Sequence, residues 1–192
     1  IVPISFQLIY NEFDSTFIIS GIITITFGIL FFLSNIDHLK SINTQQAFLL
    51  TALSWLSIAI FGSLPFFFSE LSLSITDSFF ESMSGITTTG ATILENIEKS
   101  PKGILIWRAM LQWLGGIGVI LMAITLMPIM NIGGMQLLKV TSYDTSEKIL
   151  PKSKEVSLRL ITVYLSLTAL CAVSYKICGM NAFDSITHSM TT

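Results

Sequence analysis

The sequence has few charges: only 11% of its 192 residues are Asp, Glu, Lys or Arg, whereas 52% are hydrophobic. Soluble domains carry about 25% charged residues, so this deficit excludes a disordered chain and an ordinary soluble enzyme. The formal net charge of −2 gives no electrostatic basis for binding nucleic acid. We therefore expect lipid, rather than water, around most of the chain.

Cysteine and histidine are scarce as well. Two cysteines, Cys171 and Cys178, make neither a disulfide framework nor a zinc site. On one helix they would lie about 10 Å apart, too far for a disulfide. The two histidines, His38 and His188, are too few for most metal centres or catalytic triads. The composition therefore predicts no cofactor.

Basic residues are absent before Lys40, so the chain begins without the positively charged segment of a signal peptide. Residue 1 is Ile1 rather than Met, and residues 188–192 lie within a motif that we expect to continue. On these grounds we expect a piece of a longer protein, truncated at both ends.

Four apolar stretches are long enough to cross a bilayer, which takes about 20 residues. They leave almost no polar face, which disfavours the alternative of buried helices in a large soluble core. The predicted spans are residues 17–33, 47–68, 103–130 and 156–178.

The loops between the spans differ in charge. Residues 131–159 carry five basic side chains, whereas residues 69–102 carry two basic and five acidic ones. Basic loops stay in the cytoplasm, so the first loop is predicted inside and the second outside. A soluble regulator could dock on the inner loop, but a plain positive-inside loop explains its charge equally well.

The segment at 75–90 is too short to span the membrane and too amphipathic for an ordinary loop. Thr76 and Asp77 can cap a short helix, and Gly85 is expected to end it in the left-handed conformation. The Thr-Thr-Thr-Gly run at 87–90, here called the TTTG segment, then favours extended backbone. Its carbonyls can replace the water shell of a monovalent cation. A re-entrant pore loop fits this pattern, and an external amphipathic hairpin fits the spacing equally well.

An internal repeat favours the pore loop. Residues 77–85 align with residues 184–192 at an offset of 107, with four of nine positions identical. The same offset places the span at 47–68 on residues 154–175. Both spans run from inside to outside, which is typical of parallel repeats around an axis along the membrane normal. Such repeats can close a pore.

These motifs resemble those of the Trk/Ktr/HKT superfamily of potassium transporters, most closely its bacterial TrkH type. The resemblance implies an all-α membrane protein built of repeated helix–pore loop–helix units of the potassium-channel-like transporter fold. The matching runs are FFESMSGITTTGAT at 79–92 (first pore loop), WRAMLQWLGGIG at 107–118 and IGGMQL at 132–137 (following helix and its end), and FDSITHSM at 183–190 (second pore helix).

The resemblance also implies a division of the chain. Residues 1–40 would be a remnant of an N-terminal helical hairpin, and residues 41–138 the first helix–pore loop–helix repeat. Residues 139–155 would be a cytoplasmic loop, and residues 156–192 the start of the second repeat.

For function, the resemblance implies potassium transport across the cytoplasmic (inner) membrane through a carbonyl-lined selectivity filter. Thr88 and Thr89 match the positions whose backbone oxygens face potassium, and Thr87 would lie at the inner edge of the filter. Gly90 matches the glycine at which potassium is preferred over sodium. The implied partners are a second copy in a homodimer, a cytoplasmic nucleotide-binding regulatory subunit like TrkA or KtrA, and membrane lipid.

Two other classes of function compete with transport. An intramembrane protease or lipid-modifying enzyme needs paired catalytic groups at membrane depth, but the four predicted spans contain no Asp, Glu or His. A non-transporting membrane anchor or sensor would not need a repeat.

Each charged residue or histidine in or near the predicted pore helices could have either a structural or a functional role. Arg108 is expected to be an interfacial anchor rather than a functional charge inside the membrane. Glu81 and His188, at equivalent repeat positions, are expected to support the loops through hydrogen bonds rather than to line the ion pathway. Asp184 and His188 are four residues apart, but a capping Asp and a hydrogen-bonded His are favoured over a metal pair.

The third span contains glycines and a proline that are expected to affect its packing and its shape. Gly115, Gly116 and Gly118 are expected to allow close packing, for example on the pore helix, with a hinge as the alternative. Pro128 and the Gly-Gly pair at 133–134 are expected to bend or break this long helix.

Overall fold

The computed structural model describes residues 2–34, 43–97, 100–130 and 149–192. These residues form helices and connecting loops, without a β-strand among them, in agreement with the predicted all-α class. The helices are α1 (Val2–Ile9), α2 (Thr16–Ser34), α3 (Thr44–Phe68), α4 (Ile75–Ile86), α5 (Lys102–Met130), α6 (Ile149–Ile177) and α7 (Ala182–Thr191).

Four of the helices are long and apolar enough to cross a membrane, at Thr16–Ser34, Gln45–Phe68, Lys102–Ala123 and Glu155–Ile177. They confirm the four predicted spans. Their outer faces present large apolar side chains; Leu170, for example, is 64% exposed. Such a surface would be unfavourable in water and suits contact with lipid.

The short helices α4 and α7 begin in the same way. Ser74 caps α4 with φ −66° and ψ 164°, and its side chain accepts a hydrogen bond from the Asp77 N–H. Asn181, 107 residues later, caps α7 with the same angles and accepts from the Asp184 N–H. The predicted caps were therefore wrong, because Asp77 and Asp184 lie in the first turn, where their charge favours the positive end of the helix dipole. The repeat itself is confirmed at the level of local geometry.

The end of α4 also differs from the prediction. Gly85 does not end the helix, which continues to Ile86. Glycine is needed there for space: a Cβ on Gly85 would lie 3.0 Å from the Leu111 Cβ. The left-handed residues come later, at Thr88 (φ 57°) and Gly90 (φ 74°).

Helix α4 is enclosed mainly by α3 and α5, and α7 by α5 and α6. The core beside α4 is made by apolar side chains from three of the long helices. Its buried members are Phe17, Phe66, Ile104 and Leu111. Helix α1 packs on α5, and its Phe6 ring contacts Phe183 of α7 edge to face, with the centroids 5.7 Å apart.

The glycines of α5 allow close packing, as predicted. A Cβ on Gly115 would overlap the Ile86 carbonyl oxygen and lie 2.8 Å from its carbonyl carbon. On Gly118 a Cβ would be in ordinary contact with Trp55, at 3.8 Å. Helix α5 continues through these positions and through Pro128 to Met130. The Gly-Gly pair at 133–134, His38 and most of the 139–155 loop lie outside the described residues.

Candidate functional site

The backbone after α4 turns back on the end of that helix. Four consecutive N–H groups of the TTTG segment donate to carbonyl oxygens of the last turns of α4. The pairs are Thr87 to Met83 (3.0 Å), Thr88 to Gly85 (2.9 Å), Thr89 to Ser84 (3.0 Å) and Gly90 to Ser84 (3.3 Å). This arrangement satisfies terminal carbonyls that a helix otherwise leaves without donors.

The carbonyl oxygens of the TTTG segment are used differently. Within the described residues, no N–H or O–H group donates to the carbonyls of Thr87, Thr88 or Thr89. The three threonines are exposed, whereas the preceding residues 84–86 are buried. Three successive backbone oxygens are therefore available to a ligand from outside this part of the chain.

The predicted extended backbone of the TTTG segment is wrong for its first two residues. Thr87 has φ −83° and ψ 3°, and Thr88 is left-handed. The reason is the cap: donors can reach the last carbonyls of α4 only if the chain turns tightly. A β-branched residue with positive φ is strained, at a cost of about 1–3 kcal/mol, and such strain is typical of functional segments. The unusual backbone angle predicted at Gly90 is confirmed.

Glu81 supports the chain that follows the TTTG segment, as expected. Its side chain is fully buried. One carboxylate oxygen, Oε1, accepts hydrogen bonds from the Thr92 hydroxyl and the Ile93 N–H, both at 2.6 Å. Nearby, the Ser84 hydroxyl donates to the Ala91 carbonyl at 2.6 Å. Helix α4 thus fixes the residues on the far side of the TTTG segment.

Arg108 is not the interfacial anchor that was predicted. Its Nε lies 3.1 Å from Oε2 of Glu81, and the Arg108 side chain is only 16% exposed. Its Nη2 donates to the Gly90 carbonyl at 2.9 Å. Burial of a lone charge costs several kcal/mol, so the partner explains the position. The planar guanidinium can reach the carboxylate and the carbonyl at once, which a lysine ammonium could not do in the same geometry.

The ion pair between Arg108 and Glu81 was not predicted, although the sequence contains an indication of it. Arg108 is the only charge in the interior of the third span, and Glu81 is the only one between Asp77 and the TTTG segment. Two opposite charges in apolar surroundings are expected to pair.

In the second repeat, the residue equivalent to Glu81 is His188. Within the described part of the chain its side chain makes no hydrogen bond, so the predicted support is not found there; its ring contacts Tyr175 edge to face at 6.3 Å. Asn181, rather than Asp184, is the cap of α7. No group of three His, Cys, Asp or Glu that could hold a metal occurs among the residues that the structure describes.

The described residues define a multi-spanning membrane protein in which a short helix between two spans, α4, is followed by backbone carbonyls that accept no hydrogen bond from them. The family model TrkH, described as cation transport protein, matches residues 14–192. The chain belongs to this TrkH family. The family description favours transport over the intramembrane-enzyme alternative.

Curated relatives and a solved structure agree with this membership. The chain is 38% identical to the Trk system potassium uptake protein TrkH of Halomonas elongata, over 99% of this chain and 40% of that protein. It is 38% identical to TrkH of Escherichia coli K12, over all of this chain and 41% of the relative. The crystal structure of the potassium transporter TrkH from Vibrio parahaemolyticus matches with a TM-score of 0.78 at 34% identity, covering 98% of this chain and 38% of that one. The chain thus spans about 40% of the length of these relatives.

Proposed function

We propose that this chain forms part of a potassium transporter of the cytoplasmic membrane, the membrane subunit of a Trk-type uptake system. The backbone oxygens of Thr88 and Thr89 bind the dehydrated ion, Thr87 lies at the inner edge, and Gly90 favours potassium over sodium. The observation that carries this proposal is the reversal of the TTTG segment, whose N–H groups bind α4 while its first three carbonyls accept nothing from the described residues.

Three features suit this segment to a monovalent cation. Carbonyl oxygens can replace water around potassium without introducing a fixed charge that would bind it too tightly. The carboxyl end of α4, which carries the negative end of the helix dipole, leads into the segment. Arg108 holds the Gly90 carbonyl at the end of the segment and Glu81 fixes Ile93 beyond it, so the oxygens keep their spacing when an ion leaves. The ion then moves passively, driven by the membrane potential.

The assembly follows from the proposal. We propose a homodimer in membrane lipid, with a cytoplasmic nucleotide-binding subunit that gates the pore and contacts the inner loop at 139–155. The membrane subunit of a Trk system implies a partner. We assign no nucleic acid and no cofactor, since potassium is the transported ligand.

The substitution Gly90→Ser tests the proposed filter. Serine is disfavoured at φ 74° and would shift the carbonyls next to it. We expect weaker discrimination against sodium, measured as growth and potassium uptake of uptake-deficient cells with and without sodium.

A matched control is Gly179→Ser. Gly179 is also left-handed, with φ 99°, and no neighbour lies within 4 Å of its Cβ position, so it carries a similar backbone cost outside the filter. Unchanged selectivity in a working Gly90→Ser protein would contradict the assignment. Absence of ion flux from the full-length wild-type protein would favour the anchor or sensor alternative.

A further inference from the structure

Gln112 is a polar side chain near the middle of α5 that the proposed filter does not yet explain. It lies one helical turn after Arg108, on the same face of the helix. A Cβ on Gly90 would lie 3.7 Å from the Gln112 Nε2 and 4.0 Å from its Oε1. The amide is thus the next group of α5, after the Arg108 guanidinium, to face the TTTG segment.

The same amide also reaches the second repeat. Its Nε2 donates to the Thr191 carbonyl, at the end of α7, at 3.1 Å. Thr191 lies 107 residues after Ser84 and is therefore its equivalent. In the first repeat, the Ser84 carbonyl is the acceptor for the Thr89 and Gly90 N–H groups. Gln112 therefore binds the carbonyl that corresponds, in the second repeat, to the anchor of the TTTG segment.

Packing alone does not account for this residue. An amide at membrane depth costs free energy that leucine, of similar size, would not cost. Within the described residues, the amide makes one hydrogen bond, from its Nε2 to the Thr191 carbonyl, and its Oε1 accepts none. Its neighbours Trp113 and Leu111 already make the contacts with α6 and α4.

We propose that Gln112 is a positioning residue that fixes the spacing between the TTTG segment and the carboxyl end of α7, and through it the discrimination between cations of different size. This inference rests on the proposed transport function. In the proposed pore the ion would be held between segments of different repeats, so a change in their spacing would alter the fit of potassium relative to sodium. The contact between Gln112 and the Thr191 carbonyl is one hydrogen bond, and its loss corresponds to a change in selectivity of about twofold to tenfold.

Two variants of the full-length gene product test this, in cells that lack their own potassium uptake. Gln112→Leu keeps the volume but removes the donor, and we expect potassium uptake to persist with about twofold to tenfold weaker discrimination against sodium. Gln112→Glu keeps the shape, and only its protonated form can donate to the Thr191 carbonyl. Its selectivity should therefore approach that of the wild type as the external pH falls, whereas the selectivity of Gln112→Leu should not change with pH.

The matched control is Thr162→Val, which removes a hydroxyl of α6 that, among the residues the structure describes, bonds only to the Leu158 carbonyl of its own helix. It should leave selectivity unchanged. Wild-type selectivity in both Gln112 variants would overturn the inference and leave the transport proposal intact, whereas absence of wild-type transport would overturn that proposal itself. Loss of folded protein in both Gln112 variants would assign the residue to folding and also overturn the inference.

Discussion

The substitution Glu81→Gln gives a demanding test of how the charges near the TTTG segment act. Glutamine has nearly the same shape and keeps an acceptor for Thr92 and Ile93, but it removes the negative charge. Arg108 then remains, 16% exposed and without its partner, with its Nη2 2.9 Å from the Gly90 carbonyl oxygen. The variant therefore places an uncompensated positive charge beside the proposed ion site.

The size of the effect follows from Coulomb's law. A cation bound next to Gly90 would lie roughly 6 Å from the guanidinium, and at an effective dielectric constant of about 20 the repulsion is about 3 kcal/mol. In the wild type, Glu81 cancels most of this repulsion. An energy of this size corresponds to about a hundredfold change in binding, so we expect the half-saturating potassium concentration for uptake to rise by about one to two orders of magnitude.

The assay is the initial rate of potassium uptake against external potassium, with the amount of protein in the membrane measured in parallel. Breaking a buried pair also destabilises the fold, by about 3–5 kcal/mol. The double variant Glu81→Gln/Arg108→Gln separates the two effects, because it restores neutrality without restoring the pair. It should recover much of the potassium affinity.

Glu155→Gln is the matched control, because Glu155 pairs with Arg159 at 2.6 Å while both side chains are largely exposed. Such exposed pairs contribute little, so uptake should not change. Wild-type potassium affinity in Glu81→Gln, or a double variant no better than the single one, would refute the electrostatic reasoning.

Two further substitutions test the packing and the geometry around the site. Gly115→Ala should destabilise the protein by about 1–3 kcal/mol, because its Cβ overlaps the Ile86 carbonyl. Thermal unfolding in detergent measures this effect, with Gly21→Ala as the control because the Cβ of residue 21 has open space. Equal melting temperatures of the two variants would contradict the close approach of Gly115 to Ile86. Arg108→Lys keeps the charge but cannot reach Glu81 and the Gly90 carbonyl together, so sodium discrimination should fall while protein levels persist; wild-type selectivity would show that charge alone suffices.

The spans could be predicted because each is decided by composition over about 20 residues. The repeat could be predicted because the Asp-Ser and Ser-Met pairs recur at a fixed offset and lie on helices with the same cap geometry. The exact residues at which the short helices begin and end could not be predicted in this way. The choice of Ser74 as the cap, in place of Thr76 or Asp77, depends on where the chain enters the helix, and neighbouring residues of similar capping preference do not decide that.

The conformation of the TTTG segment was mispredicted for a different reason. Threonine propensity favours extended backbone, but the propensity of one residue is worth less than the hydrogen bonds that cap α4. Gly85 was misinterpreted likewise, since a glycine required for space beside Leu111 looks the same in sequence as one required for positive φ. The first error therefore concerns the local cap of α4. The second concerns a contact with Leu111 of α5, 26 residues further along the chain.

Among the described residues, equivalent positions of the two repeats make different contacts, so symmetry between the repeats does not extend to the side chains around the short helices. In the first repeat, a buried carboxylate binds Thr92 and Ile93 and neutralises Arg108. The equivalent residue in the second repeat is His188, which cannot supply a permanent negative charge to pair with a guanidinium. At the carboxyl end of α7, the contact from α5 is instead the Gln112 donor to the Thr191 carbonyl. Helix α5 thus supplies Arg108 to the TTTG segment and Gln112 to the end of α7, so equivalent substitutions in the two repeats should have unequal effects.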